Sequence, residues 1–406
     1  MNEMKTLALK DLQEAVAGSD AAFRSTLRLM PAGGPGTKVF PPTYTGGVYA
    51  WEQRRISEDK VVTSVVLDQV PSQANRMEEA LLEAHKAKAI SVPMLEVDLS
   101  SEFADIGVIT TLDAPHRIAD AIFRDSSLEG VEFRESRVGQ AFSTANMRNA
   151  TILFEHCPNA LIFGVWDSMG SAGGLGNKFQ RVVTSEIIGF GAEGNTFHGG
   201  VRTDPLGIKA AATIYETEDG GWTNNNSDSD VKKNAKGEAI PLRPSEKGHS
   251  NIIYPRSSEE RDSAGNSLRG GVTISHAMQT WVMSLPALRR LRFPKNDNHS
   301  AERDIAARTA LGALALSAYA HLLQEGFDLR SRCLLIPEGG PCFEKVAGNG
   351  ERTQYVIDVA VADKIHDDAV KVALEKGLDW PKEPIRLQPE PRLLELVRRS
   401  RAITGD

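Results

Sequence analysis

One stretch constrains the fold more than any other. It begins Val61-Val-Thr-Ser-Val-Val-Leu-Asp68, passes through Pro71 and Ser72, and continues Gln73-Ala-Asn-Arg-Met-Glu-Glu-Ala-Leu-Leu-Glu-Ala84. The first run is β-branched and apolar, the composition of a buried strand. Pro71 and Ser72 break that pattern, and Ser72 is the expected N-cap of a helix. Ala74, Met77, Leu81 and Ala84 then recur at helical spacing, so one face of the helix packs on a sheet. The first turn is left with Gln73, Asn75 and Arg76 beside free backbone N–H groups and the positive end of the helix dipole. That is chemistry suited to a phosphate or another anion. A capped helix with a solvated first turn explains the same residues and is the commoner outcome.

Composition narrows the class. The 406 residues are 41% hydrophobic and 25% charged, ordinary globular material for one large domain with insertions or for two domains. The longest apolar run, Ala306 to Leu323, contains Arg308, Thr309, Ser317 and His321, so it reads as a buried helix and not a membrane span. The start, Met1-Asn-Glu-Met-Lys5, lacks the apolar core of a signal peptide. Three cysteines, Cys157, Cys333 and Cys342, show no short metal spacing and fit a reducing, cytoplasmic setting. A formal charge of −7 argues against indiscriminate coating of nucleic acid, but leaves room for a local basic groove.

Along the chain, residues 1–24 predict an amphipathic helix and Ser25 to Met30 a strand. Pro31 to Gly36 reads as a loop. Val92 to Leu99 and Ile106 to Thr110 read as strands, Asp113 to Phe123 as a helix capped by Asp113, and 139–156 as a further helix. Ala160 to Trp166 predicts a strong strand, joined by a glycine-rich turn over 167–177 to a partner strand from Phe179 to Gly189. Ile208 to Tyr215 is one more strand. From Glu216 to Gly271 the chain turns polar, with few apolar anchors. It reads as an exposed, partly mobile insertion carrying a hairpin near Ile252 to Tyr254. Val272 to Met283 returns to regular structure, and Ser284 caps a short basic helix. Ala301 to Gln324 is a long helix, Ser331 to Pro337 and Tyr355 to Ala362 are strands, and Asp363 to Lys376 and 391–401 are helices. This irregular alternation predicts an α+β sheet core with elaborations, in a single domain over 1–406 interrupted by the 216–271 insertion.

Few motifs carry chemistry. The loop Gly170-Ser-Ala-Gly-Gly-Leu-Gly176 lacks a P-loop ending and precedes a strand, so it reads as a tight turn with Lys178 beside a phosphate. Asp113, His116 and Asp120 lie three and four apart, spacing that puts them on one helix face as a metal set or acid–base pair. A cap, a hydrogen-bonded histidine and a surface carboxylate account for them better, because no second histidine cluster accompanies the set. Arginines recur in groups: Arg289, Arg290 and Arg292 with Lys295, then Arg330 with Arg332, then Arg398 to Arg401. Solvated helix ends explain such groups, and so does a groove that tracks phosphates.

Several blocks occur in an order that carries a resemblance. They are Gln73-Ala-Asn-Arg-Met-Glu78, Asp113-Ala-Pro-His-Arg-Ile-Ala-Asp120, Phe163-Gly-Val-Trp-Asp-Ser168, Arg181 with Thr184-Ser-Glu186, Leu288-Arg-Arg-Leu-Arg-Phe293 and Leu329-Arg-Ser-Arg-Cys333. Together, from about Val65 to Val361, they resemble the Csb-one family. Its members are the Cas-seven-type RAMP backbone subunits of type I-G (formerly I-U) CRISPR Cascade complexes. The resemblance implies a modified ferredoxin-like, RNA-recognition-type palm with finger and thumb insertions. It implies copies stacked in a helical filament along a CRISPR RNA, with target DNA met through guide pairing. Partners would be a large subunit and a fused Cas-five/Cas-six-type subunit, with no membrane, no cofactor, no metal and no chemistry of the subunit's own.

On this reading guide phosphates meet Ser72, Gln73, Asn75 and Arg76, together with Arg181, Arg289, Arg290, Arg292, Arg330 and Arg332. His116 and Arg117 add further contacts. Binding through backbone and shape leaves the guide bases free to pair. A metal-independent endoribonuclease acting on CRISPR repeat RNA through His116 is the alternative. A small-molecule enzyme with its site in the Phe163–Glu186 hairpin is the third reading.

Overall fold

The computed structural model describes residues 5–45, 47–167, 178–195, 204–209, 211–249, 270–296 and 298–403. The chain is α+β and divides into two compact units. The first comprises residues 1–43, 49–192 and 273–398, and the second 44–48, 193–272 and 399–406.

The first unit is built on a long sheet. Its strands run in the order Lys5–Thr6, Arg352–Val356, Cys342–Val346, Ala22–Pro31, His276–Ser284, Val183–Phe190, Lys60–Asp68 and Trp51–Ser57. Every neighbouring pair is antiparallel except the first. Alternation dictates which face is covered. Phe23, Ser25, Leu27 and Leu29 are buried on one strand, as are Ala277, Gln279, Trp281 and Met283 on its neighbour. Helices Val70–Lys86 and Ala301–Glu325 belong to the same core. The second is rich in alanine, so helices Leu9–Ala17 and Val359–Glu375 also approach it closely. Trp281 stacks on Tyr319 at 4.8 Å, and the Tyr319 hydroxyl donates to Ser25 Oγ at 2.8 Å. Truncating such a buried ring costs about 3–5 kcal/mol. A second sheet in this unit orders Val131–Glu132, Ser126–Leu128, Ile385–Pro389, Leu95–Asp98 and Val108–Thr110.

The strand and helix that anchor the sequence both form, as Lys60–Asp68 and Val70–Lys86. The cap differs. Gln69 is the N-cap residue and Ser72 lies within the first turn, because Pro71 fits the opening helical positions. The expected strand over Ala160 to Trp166 is instead the helix Pro158–Phe163, followed by a two-residue strand, Val165–Trp166. All six helical residues are buried, so packing on every side overrides their β propensity. The expected helix from Asp113 resolves into turns, a 3-10 turn at Arg117–Ala119 and a single helical turn, Ala121–Arg124, capped by Asp120. Residues 139–156 form two helices, Arg137–Thr144 and Thr151–His156. The strand expected to run from Tyr355 to Ala362 ends at Val356, because Asp358 caps the next helix through Val361 N–H. Strands Trp51–Ser57 and Cys342–Val346 were not foreseen.

The largest segment of the second unit begins at Glu193, ahead of the composition change at Glu216. It holds a small antiparallel sheet, Trp222–Thr223, Ile214–Glu216 and Pro241–Leu242. The strand expected over Ile208 to Tyr215 is confined to those last residues. Side-chain turns fasten it: Asp219 accepts from Gly221 N–H at 3.0 Å, and Asp228 accepts from Asn225 Nδ2 at 2.6 Å. The expected hairpin near Ile252 to Tyr254 and most of the glycine-rich turn, 168–177, lie outside the described residues.

Candidate nucleic-acid interface

At the start of the Val70–Lys86 helix the anticipated anion is already present. It is Asp68, fully buried at the end of the preceding strand. Its carboxylate accepts from Ser72 Oγ at 2.7 Å, Gln73 Nε2 at 2.6 Å and Arg76 Nε at 3.0 Å, with Arg330 Nη2 at 3.5 Å. Gln73 is 0% exposed, and its amide oxygen accepts from Ser185 Oγ and Gln279 Nε2, both at 2.9 Å. Arg76 also donates to the Leu329 carbonyl at 2.6 Å, and Arg330 to the Leu67 carbonyl at 2.8 Å. These residues join helix, sheet and the 329–333 turn. Gln73 has no surface left for RNA, and Ser72, Arg76 and Arg330 are engaged by the protein itself. Of the expected first-turn residues, Asn75 alone is exposed.

Arg117 is a second correction. It is 6% exposed, and its guanidinium meets both Glu78 oxygens at 2.6 and 2.7 Å and the Gly164 carbonyl at 2.9 Å. Its φ of +55° is left-handed, a conformation an arginine holds only when its surroundings enforce it. Asn159 Nδ2 donates to Glu78 at 2.7 Å and to the Thr111 carbonyl at 2.9 Å, completing a buried polar knot. Burial pushes the Glu78 carboxyl upward, and Arg117 opposes the shift. Burial also pushes the neighbouring Cys157 thiol up to about 12, so it is an inert core group.

The expected Asp113–His116–Asp120 set does not share a helix face. Asp113 accepts from Thr110 N–H and Oγ1, both at 2.8 Å. Asp120 accepts from the backbone N–H groups of Ile122 and His116 at 3.1 and 3.2 Å. None of these bonds reaches the His116 ring, which is exposed.

The ring instead borders a cavity of about 830 Å³ in the first unit, together with Asn75, Trp166, Lys178, Gln180, Arg181 and Thr184. Gly164 positions this wall. Its φ of +84° follows the Pro158–Phe163 helix, and a Cβ there would stand 3.0 Å from both the Phe179 carbonyl oxygen and Arg181 Cγ. The chain can therefore press Val165–Trp166 against Lys178–Phe179 as an antiparallel pair. Trp166 is 58% exposed, and Lys178 Nζ lies 5.7 Å from its ring centroid. Among the described residues Arg181 forms no ion pair. Burial first, then the charge of Arg117, draws Arg181 below the usual guanidinium range. A cation placed at a disadvantage in this way is stabilised by an incoming anion. Gln180 extends the track by accepting from Arg290 Nη1 at 3.1 Å.

Arg290 also lines a neighbouring cavity of about 910 Å³ with Arg148, His299, Arg289 and Arg292. Arg289 donates to the carbonyls of Ala15 and Asp20, and Arg292 pairs with Asp304 at 3.3 Å. Exposed Arg290 and Arg148 are the cations that face solvent there. Arg332 is exposed and stacks over Phe40 at 4.1 Å. Of the expected residues, Asn75, His116, Arg181 and Arg290 border the two cavities and Arg332 is exposed outside them; Trp166, Lys178, Gln180 and Arg148 also line the cavities. A tryptophan beside a glycine-rich turn, with a lysine across it, was the available signal for Trp166.

Among the described residues no group of three or more His, Cys, Asp or Glu side chains is arranged to hold a metal ion. No helix among them is long and apolar enough to cross a membrane. Residues 23–194 match the family model described as CRISPR-associated protein GSU0053. The match supports a CRISPR-associated protein with a role in CRISPR defence. It runs from Phe23, within the strand Ala22–Pro31, past the strand Val183–Phe190, and so includes Gly164, Trp166, Lys178 and Arg181. No curated protein matches the chain.

Proposed function

We propose that this chain is a non-catalytic RNA-binding backbone subunit of a CRISPR surveillance complex, of the type I-G Cascade kind. The groove around Trp166 and Arg181 carries the reading. It offers an exposed aromatic face for a base, and Lys178, Arg181 and Arg290 for successive phosphates. Strand order adds support. Cys342–Val346, Ala22–Pro31, His276–Ser284 and Val183–Phe190 lie side by side in the antiparallel order 4-1-3-2 of a ferredoxin-like palm. Helices Val70–Lys86 and Ala301–Glu325 fall where its two crossover helices belong, and Trp51–Asp68 adds an extra hairpin. Copies of the chain would follow one another along the guide, with target DNA pairing to its bases. The large subunit and a fused Cas-five/Cas-six-type subunit would close the complex.

The position of exposed His116 in the groove favours the endoribonuclease as the second reading. One incubation separates the two. Purified protein is expected to bind repeat-containing RNA and leave it intact, with or without divalent metal. Cleavage at one defined position, lost in His116→Ala with binding retained, would overturn the scaffold reading.

A further inference from the structure

Trp166 and Asp167 reverse the usual order of solvation. The tryptophan is 58% exposed, and the acid that follows it is 3% exposed. Along an extended chain successive side chains face opposite sides. Asp167 therefore follows buried Val165 inward, and Trp166 is turned out. A slip of one residue would bury the indole and solvate the carboxylate, the more favourable setting for each group.

Two clamps hold the costlier register, one on either side of Trp166. Before it, Arg117 is fixed by Glu78 and donates to the Gly164 carbonyl at 2.9 Å. After it, Arg134 Nη2 donates to both Asp167 carboxylate oxygens at 2.9 Å. Arg134 stands on a firm base. It belongs to the 3-10 turn Phe133–Glu135, in which Phe133 is 2% exposed. Ser136 Oγ donates to the Phe133 carbonyl at 2.6 Å and accepts from Gly139 N–H at 3.1 Å. The helix Arg137–Thr144 is pressed so closely on this turn that a Cβ at Gly139 would lie 1.8 Å from the Phe133 carbonyl oxygen. Neither Arg134 nor Asp167 borders the groove cavity.

We propose that Arg134 and Asp167 are positioning residues for RNA. Their ion pair holds the Trp166 ring outward as a ready-made stacking platform, and neither side chain touches the strand. This rests on the reading of the groove as an RNA site. A ring already ordered in the free chain loses little conformational freedom when a base arrives.

The test joins anisotropy titration of single-stranded RNA to fluorine NMR of the full chain labelled with 5-fluorotryptophan. The chain holds five tryptophans, and the resonance missing from Trp166→Phe is that of Trp166. In Asp167→Ala and in Arg134→Met that resonance is expected to move, and the other four to stay. Asp167→Ala strands no buried charge, because Arg134 keeps access to water. RNA affinity should fall about fivefold or more in each variant, the loss expected of a stacking platform. For Asp167→Ala the direction decides, since removing a negative charge would by itself tighten binding to a polyanion. Arg134→Met should keep the parent salt slope, because no phosphate contact is lost. In a Trp166→Ala background neither substitution should weaken binding further. An unmoved Trp166 resonance would overturn the proposal. So would tighter RNA binding by Asp167→Ala, a lowered salt slope in Arg134→Met, or losses that add to that of Trp166→Ala. Unchanged RNA affinity in Trp166→Ala itself would overturn the stacking reading of the groove, and this proposal with it.

Discussion

Two arginine-bearing regions of the first unit present similar chemistry and opposite opportunities. At the start of the Val70–Lys86 helix, Arg76 and Arg330 converge on buried Asp68. In the groove beside the strands Val165–Trp166 and Lys178–Phe179, Arg181 sits near Arg117, whose charge is matched by Glu78, and among the described residues Arg181 itself forms no ion pair. An arginine serves as an RNA contact only while its charge is unmatched inside the protein. The first cluster is a joint between helix, sheet and turn, and the second is a surface.

The sharpest way to break this comparison is to remove one arginine of each sort. Arg117→Met strands Glu78 in the core and is expected to destabilise the fold by about 3–5 kcal/mol in urea unfolding. Arg181→Met, which breaks no ion pair among the described residues, should stay within about 0.5 kcal/mol of the parent. Equal losses would mean that Arg181 is also structural. Next in size is Trp166→Ala. Losing a stacking platform should weaken single-stranded RNA binding by about 1–3 kcal/mol, with unfolding unchanged. Anisotropy titration that shows no change would remove the aromatic face from the interface.

A smaller effect distinguishes the clusters by salt. Arg181→Ala should lower the slope of log affinity against log salt by about 0.7, the share of one phosphate on a single strand. Arg76→Ala should lower stability and leave that slope alone. The reverse result would return the helix start to the RNA path. The smallest expected difference concerns the thiols. Burial raises Cys157 to about 12 and Cys333 to about 11, so both stay protonated near pH 8. Cys342 is exposed. An aromatic disulfide reagent should therefore titrate one thiol in folded protein and three after unfolding.

Much of the frame was legible beforehand. Strand Lys60–Asp68, helix Val70–Lys86 and helix Ala301–Glu325 are long and strongly patterned, so local composition suffices. Pro158–Phe163 was misread because six consecutive buried residues lack any periodicity that separates helix from strand. The candidate site was legible in part. Asn75, His116, Arg181 and Arg290 stand in polar or basic stretches and do face the groove region or its extension. Gln73, Arg76, Arg117 and Arg330 stand in equally polar stretches and turn inward.

What decides between those two sets is absent from any local window. Arg117 and Glu78 are 39 positions apart, and Arg76 and Leu329 are 253 apart. The sequence alone determined which segments are strands and helices wherever apolar spacing is strong, and which residues carry charge. Only the tertiary structure decided which charges meet a partner. Pairing is a matter of distance in space and of removal from water, and chain order specifies neither.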